Sequence, residues 1–325
     1  MRILVLHSDV APDAPLDEQD TLYAAEEIAK ALTRCGHDVS KAAFSQDQDR
    51  FDRILADARA DVVFNMVEGV NGSGVLAPIA PRMLDEAGVI YTGADAVSMA
   101  VTSDKPATKR RLREAGIATP DWSVPPDWKG LRDKKYIVKH TLEDASVGLD
   151  DECIVTGADA VKKRAELSRL RFGGDWFAEE FVDGREFNIA VLEGRDGPVV
   201  MPMAEMVFEN WNDSQPRIVG WRAKWHEESH ESDQTVRYFG VETKEPVLAA
   251  KLKAACEGCW KTFDLTGYCR VDFRVTPEGE PTVLEINTNP GISPDAGLPA
   301  AALEAGMNYD QFLSRLVEIA HYRAP

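Results

Sequence analysis

Two short segments late in the chain, Tyr268-Cys-Arg-Val-Asp-Phe-Arg-Val275 and Thr282-Val-Leu-Glu-Ile-Asn287, carry the residue types best suited to chemistry. Read as strands, their period of two puts Arg270, Asp272 and Arg274 on one face and Val271, Phe273 and Val275 on the other. In the second segment Glu285 and Asn287 share a face, and Leu284 and Ile286 oppose them. Pro277-Glu278-Gly279-Glu280 reads as a hairpin connection, and a tip at Glu278-Gly279 sets Asp272 opposite Glu285 and Arg270 opposite Asn287. Like charges directly opposite destabilise a sheet by up to about 1 kcal/mol, so this pair calls for a cation between the strands. Asp, Glu and Asn oxygens are hard ligands of the kind Mg²⁺ takes and usually shares with substrate phosphates. The plainer alternative is a polar face neutralised by Arg270 and Arg274. The turn that follows, Asn287-Thr-Asn-Pro-Gly291, can aim backbone N–H groups at the same place.

Two lysines match a phosphate role. Lys139 closes a strand over 135–139, ahead of a Glu143-to-Gly148 loop whose Ser146 and Gly148 can cover phosphates. Lys105 sits in the first turn of a basic helix over 104–115, where backbone amides favour anions; Ser103 or Asp104 caps it, and Lys109, Arg110, Arg111 and Arg113 follow. There is no G-x-x-x-x-G-K-[ST] motif, so a nucleotide here needs a different fold. Of the five cysteines, only Cys256-x-x-Cys259 is closely spaced; without a second pair or a His set, free thiols are expected.

The elements that must position these groups fall into three stretches. Residues 1–95 alternate strand and helix: strands at Ile3 to Leu6, Asp38 to Phe44, Asp61 to Phe64 and Val89 to Tyr91, with helices near 20–35, 47–59 and 75–87. That pattern predicts a parallel α/β layer with a ligand site at the carboxyl ends of its strands. A glycine-rich turn, Asn65-Met-Val-Glu-Gly69-Val-Asn-Gly72-Ser-Gly74, follows the third strand. Residues 96–180 read as a small α+β unit with the basic helix, the Lys139 strand, a helix near 158–170 and a strand over 176–182. Residues 181–325 alternate like an antiparallel sheet, with strands at 185–192, 199–203, 268–275 and 282–287 and a helix over 245–263. A long polar segment, 207–235, carries Trp211, Trp221 and Trp225; a loop of that length inside a compact unit is usually functional.

Composition narrows the function classes. The 325 residues include 37 Lys plus Arg against 55 Asp plus Glu, a formal charge of −18 that disfavours nucleic acid or an anionic membrane as partner. An anionic ligand must then be held by a few local cations. No apolar run is long enough for a membrane span and none at the start resembles a signal peptide, so a cytoplasmic protein is expected.

The ordered set Asp104-Lys105, Ile137-Val-Lys139, Ser146-Val-Gly148, Glu179-Glu-Phe-Val182, Glu186-Phe, Ala223-Lys224, Arg270-Val-Asp272-Phe and Leu284-Glu-Ile-Asn287-Thr-Asn-Pro-Gly291 resembles the ATP-grasp superfamily. Within it the chain is most similar to D-alanine–D-alanine ligases, over nearly its whole length and including Tyr91-Thr-Gly93. The resemblance implies an ATP-grasp fold: a Rossmann-like parallel α/β domain, a small central α+β subdomain and a carboxyl-terminal subdomain built on an antiparallel sheet. It implies a carboxylate–amine ligase that uses ATP and two Mg²⁺ ions, with Mn²⁺ as an alternative, acts on an amino acid or other carboxylate plus an amine, and forms a homodimer. By the same resemblance Lys105 and Lys139 bind ATP phosphates under the 143–148 loop, with Ser146 placed at the reaction. Glu179 and Val182 offer backbone groups to adenine beside Phe181, Glu186 holds the ribose, and Lys224 approaches the nucleotide. Asp272, Glu285 and Asn287 hold the metal ions, and Arg270 and the Gly291 amide stabilise the oxyanion.

The substrate side departs from the family pattern. The family's hydrogen-bonded Glu, Ser and Tyr become Asp17 or Glu18, Ala145 and Trp225; its Ser-Leu, which receives the second substrate's carboxylate, becomes Ala296-Gly297; and a His of the third-strand motif is absent from Asn65-Met-Val-Glu68-Gly. A product other than D-alanyl-D-alanine is therefore expected. Asn65, Glu68, Glu205, Arg222 and Asp295 are the polar candidates to take over, the tryptophans could line an acceptor pocket, and His7 sits at the end of the first strand. Three alternatives compete with this reading: an authentic D-alanine–D-alanine ligase, an ATP-binding module without turnover, and a dinucleotide enzyme using Gly69-x-x-Gly72-x-Gly74. The intact Arg270, Asp272, Glu285 and Asn287 set argues against the module, and G-x-x-G-x-G spacing after the third strand argues against the dinucleotide.

Overall fold

The computed structural model describes residues 1–11, 13–14, 16–143, 146–150, 152–211, 215–222 and 229–322. Continuous apolar runs make the first sheet: Arg2–His7 lies between Asp38–Ala43 and Val62–Met66, all parallel, with helices Leu16–Arg34 and Gln48–Ala58 in the crossovers. Both faces of its central strand are covered, as the run Ile3 to Leu6 demands. Leu4 and Leu6 pack with Phe51, Val63 and Leu84, while Ile3 and Val5 share a cluster with Ile28, Phe312, Leu313 and Leu316. The late helix Tyr309–Tyr322 thus covers one face of the first sheet. Val89 to Tyr91 does not form the expected fourth strand. Tyr91 makes a single parallel bridge to Val63, because the chain turns away at once through Gly93, whose φ is +93°.

The second sheet is antiparallel, in the order Trp122–Ser123, Trp176–Glu180, Lys135–His140, Ile154–Thr156, and rests on helix Ala158–Phe172 through Tyr136, Val138, Val161 and Ala165. The third, also antiparallel, runs Thr235–Tyr238, Ala204–Phe208, Arg185–Gly194, Tyr268–Val275, Pro281–Asn287, with Gly197–Val200 paired to the far half of Arg185–Gly194. Of the expected strand at 199–203 only 199–200 is strand, and the next strand begins at Ala204. Pro202, lacking an N–H, lies in the gap and cannot donate to a ladder.

One face of the third sheet is core: Phe187, Ile189, Val271 and Phe273 pack on Leu252, Cys256 and Phe263 of the helix side. Leu112 belongs to the same cluster, so the basic helix Lys105–Glu114, capped by Asp104 accepting from Ala107 N at 2.8 Å, docks on the third sheet rather than the second. The other face opens onto a cleft. All five cysteines are free; four are buried, and burial pushes the Cys153 and Cys259 thiols up to about 12.

Candidate active site

The cleft face of the third sheet carries the chemistry. Asp272 pairs directly with Glu285 and Arg270 with Asn287, the register expected from the alternation. The turn itself differs from that expectation. Beyond Asp272 the pairs are Phe273 with Val283, Arg274 with Thr282 and Val275 with Pro281, so Leu284 is an extra residue in a bulge. The connection is accordingly Thr276 to Glu280, closed by Thr276 N donating to Glu280 O at 3.0 Å and Gly279 N to Thr276 O at 2.9 Å. Loop and bulge cancel at Asp272, and Leu284, expected behind the sheet, lines the cleft.

Arg270 fills the space between the two carboxylates. Its Nε and Nη2 donate to Asp272 Oδ1 and Oδ2, both at 2.7 Å, and Nη2 lies 3.9 Å from Glu285 Oε1. Arg274 instead pairs with Glu186 at 2.9 Å and lies over the Phe181 ring at 5.6 Å. Asn287 Oδ1 accepts from Asn289 N at 2.8 Å, which fixes the amide at the turn. Among the described residues no three His, Cys, Asp or Glu side chains converge as a closed metal cage. Two carboxylates and one amide oxygen on a shared face nevertheless fit Mg²⁺, which takes one or two protein carboxylates and completes its shell with water and phosphate.

The facing wall is cationic and built on one buried carboxylate. Lys139 Nζ lies 2.6 Å from Glu179 Oε1, and Lys109 pairs with the other oxygen; side-chain exposures are 11%, 1% and 0% for Lys139, Glu179 and Lys109. Lys109 also donates to Thr119 Oγ1 at 3.0 Å, and Thr119 Oγ1 to Val283 O at 2.7 Å, tying the wall to the third sheet. Burial works against each charge, and the partners decide the outcome. Two ammonium groups hold Glu179 below its ordinary range despite desolvation. Lys139 is raised because Glu179, Glu285 and Glu186 together outweigh its burial, whereas burial wins at Lys109 and pulls it down. Glu179 therefore presents its carboxylate to lysines. Its backbone lies inside the sheet, paired with Ile137 on one side and Trp122 on the other, which corrects the expectation that it offers backbone groups to a base.

The described ends of the 143–148 loop, Glu143 and Ser146 to Gly148, are held beside this wall. Lys105 Nζ donates to Glu143 O at 2.9 Å, and the Glu143 carboxylate accepts from Ser73 Oγ at 3.0 Å and Gly74 N at 3.1 Å, joining the loop to the first sheet's glycine-rich turn. Ser146 Oγ donates to Val219 O at 3.1 Å, and Trp221 N to Leu149 O at 3.2 Å. Buried Arg164 holds the loop's far end through Gly148 O at 3.1 Å and Asp150 at 2.7 Å. Gly148 has φ +69°, and a Cβ there would meet Trp176 Cη2 at 2.4 Å. Gly148→Ala is expected to cost about 1–3 kcal/mol and to displace the loop, since a fixed indole cannot give way cheaply. Urea unfolding together with the KM for ATP checks this; wild-type values for both would show that the loop tolerates the methyl.

One cleft of about 1360 Å³ gathers Lys105, Lys139, Ser146, Glu179, Phe181, Val182, Glu186, Arg270, Asp272, Glu285, Asn287 and Gly291. The expectations for Lys224, Ala145 and Trp225, and for the Asp17 and Glu18 side chains, lie outside the described residues. Glu68 and Asp295 line the cleft, but three other polar candidates do not. Glu205 faces away and forms a two-point pair with Arg185 at 2.7 Å; Asn65 is buried, accepting from Val67 N at 3.2 Å; Arg222 is exposed and 3.4 Å from Glu231. Trp211 packs on Phe208 at 5.1 Å, and His7 Nδ1 meets Ser8 O at 2.8 Å, so neither serves the cleft. Two residues were missed. Lys109 is one helical turn from Lys105, and that i,i+4 spacing was the available signal. Arg237, in the edge strand Thr235–Tyr238, lines the cleft and had no distinguishing sequence context.

Comparison with known proteins bears on this geometry. Residues 135–318 match the family described as "D-ala D-ala ligase C-terminus". The chain is 30% identical to the D-alanine–D-alanine ligase of Aquifex aeolicus over 98% of this chain and 100% of that protein. It is also 30% identical to the uncharacterized protein y4sG of Sinorhizobium fredii, over 92% of this chain and 88% of that one. Among solved structures, the D-alanine–D-alanine ligase of Bacillus anthracis complexed with ATP shares the fold with a TM-score of 0.75 at 21% identity, covering 99% of this chain and 98% of that one. The VanG D-Ala:D-Ser ligase of Enterococcus faecalis gives 0.71 at 16% identity, covering 98% and 99%.

Proposed function

This chain belongs to the D-alanine–D-alanine ligase family, and from that membership we propose that it is an ATP-dependent carboxylate–amine ligase. The supporting observation is the direct pairing of Asp272 with Glu285 on the cleft face, opposite the Lys139–Glu179–Lys109 wall. In this reading Lys105 and Lys139 hold the ATP phosphates beneath the 143–148 loop, Phe181 and Val182 border the base, and Glu186 holds the ribose. Asp272, Glu285 and Asn287 would hold Mg²⁺, which, when bound, neutralises charge between the γ-phosphate and the attacking carboxylate. Arg270, with the Gly291 amide, stabilises the oxyanion formed when an amine attacks the acyl phosphate. The bonds joining Ser146 to Val219 and Trp221 to Leu149 close the cleft and keep water from the acyl phosphate.

The reactants are an amino acid and a second amine, released as an amide with ADP and phosphate. Ala296-Gly297, in place of a hydroxyl-bearing pair, supports a product other than D-alanyl-D-alanine. The Aquifex aeolicus relative favours D-alanyl-D-alanine itself. ADP release measured with Mg²⁺, ATP and a panel of D- and L-amino acids, singly and in pairs, decides between them. D-alanine as the best substrate would overturn the first product reading, and no amino-acid-dependent ADP with any pair would overturn the ligase reading.

A further inference from the structure

His140 closes the strand Lys135–His140, directly after Lys139, and is buried at 7% exposure. Its Nδ1 accepts from two backbone donors where the 143–148 loop begins, Leu142 N at 3.1 Å and Glu143 N at 2.8 Å. An acceptor must offer a lone pair, so both bonds require the neutral ring with its proton on Nε2. The ring is held from two further sides. Gly174, at φ +64°, comes so near that a Cβ there would lie 2.0 Å from Nε2, and Trp176 meets the ring edge-on at 5.3 Å and 77°. The same indole lies against Gly148, so His140 and Trp176 together brace both described ends of the loop.

What His140 fixes is Glu143. The Glu143 carbonyl receives Lys105 Nζ at 2.9 Å, and its carboxylate receives Ser73 Oγ and Gly74 N. One residue thus joins a lysine of the cleft, the loop and the first sheet. Lys105 N also donates to Thr141 O at 3.1 Å, and Thr141 N to Asp175 O at 2.8 Å, which pins the segment between the basic helix and the second sheet. The charged groups around it are Lys139 on its own strand, Lys105 on the basic helix, Glu143 in the loop, Asp175 ahead of Trp176 and, at the loop's far end, Arg164 of helix Ala158–Phe172. As types, carboxylates, ammonium groups and guanidinium groups keep their charge between about pH 5.5 and 8, whereas an imidazole does not.

We propose that His140 is a positioning residue for ATP binding: its neutral ring fixes Glu143 and through it Lys105, and protonation of Nδ1 releases both amides and weakens the hold on ATP. This rests on the ligase reading above, which puts the ATP phosphates at Lys105 and Lys139. The charge gained on protonation does not offset the lost bonds, because the ring is turned to Gly174 and to two N–H groups that a protonated Nδ1 would repel.

The test follows ATP against pH. With Mg²⁺ and the substrates selected by the ADP panel, kcat and the KM for ATP are measured from about pH 5.5 to 8 for the wild type, His140→Asn and His140→Leu. Asn offers an oxygen near the place of Nδ1 and does not titrate, whereas Leu offers no acceptor. At the alkaline end the KM for ATP should lie within about 3-fold of wild type in His140→Asn and about 10-fold above it in His140→Leu, the worth of one or two backbone hydrogen bonds. On acidification the wild-type KM should climb about 10-fold toward that of His140→Leu, while His140→Asn changes by less than about 3-fold and kcat moves less than KM throughout. Hydrogen exchange of the wild type alone gives a readout that needs neither turnover nor a folded variant. The Leu142 and Glu143 amides should be protected at the alkaline end and lose about 10-fold in protection at the acid end, after correction for intrinsic rates. An acid rise in KM shared in full by His140→Asn, a wild-type KM in His140→Leu, a KM that falls on acidification, or protection indifferent to pH would each overturn the proposal while the ligase reading stands. Absence of amino-acid-dependent ADP would overturn the ligase reading, and calorimetric binding of Mg²⁺–ATP to the same three proteins across the same pH span would then decide the proposal.

Discussion

Asp272→Asn and Glu285→Gln are each expected to lower ADP release by about 10³-fold. Neutralising charge between two anions that must meet is worth several kcal/mol, and each 1.36 kcal/mol is about a factor of ten. The structure gives this expectation a sharp form. Asp272 and Glu285 face each other across neighbouring strands with Arg270 between them, so removing one carboxylate leaves the arginine to the other. The loss should therefore be accompanied by a weaker affinity for Mg²⁺, visible as a rightward shift when activity is titrated with the ion. Circular dichroism and the urea midpoint should stay near wild type, because the core face of the same strands, Val271 and Phe273, is untouched. Unchanged ADP release in both variants would end the metal assignment.

Glu179→Gln should cost about 3–5 kcal/mol of stability, the usual penalty when one partner of a buried ion pair is removed and its counter-charge is stranded. Here two ammonium groups lose one carboxylate. Urea unfolding should show a lower midpoint with an unchanged slope. The pH dependence identifies the cause. Glu179 is held below its ordinary value of 4.5, so its contribution is complete above that pH and is lost as the pH falls through the depressed value. Lys139 is raised above 10.5, so its contribution is complete below that pH and is lost only as the pH rises through the raised value. The gap between wild type and variant should thus be level across the neutral range and shrink below about pH 4.5. A gap that stays constant into acid would mean that shape, not charge, made the difference. Removing Lys109 as well, in Glu179→Gln with Lys109→Met, should recover part of the loss.

How far the chain could be read in advance depended on the range of each signal. The facing of Asp272 and Glu285 was legible because side-chain alternation is local and a hairpin allows few registers. The bulge at Leu284 was not, because an extra residue has no composition of its own and a longer loop hid it. Lys105 and Lys139 stood out beside a helix start and a loop, whereas Lys109 looked like one more charge on a basic surface. Its burial follows from Glu179, which arrives from a strand much later in the chain. Glu205 failed as a site residue for the reverse reason: its acidity was visible, but the Arg185 that claims it on the far face was not. Arg237 meets residue 297 only through the fold, so nothing near it in sequence marked it. The strand at Val89 to Tyr91 was over-read because an apolar triplet says nothing of the turn that cuts its ladder short.

The helix Tyr309–Tyr322, lying on the first sheet, has a consequence for how the protein is made. Synthesis proceeds from the amino end, so the strands holding Ile3, Val5 and Phe64 leave the ribosome long before Phe312, Leu313 and Leu316 exist to cover them. Helix Leu16–Arg34 covers part of that side early through Ile28 and Leu32, and the rest waits bare, open to chaperones and to wrong partners. Cutting the chain at the edge of that layer would yield a sticky fragment rather than a self-sufficient module.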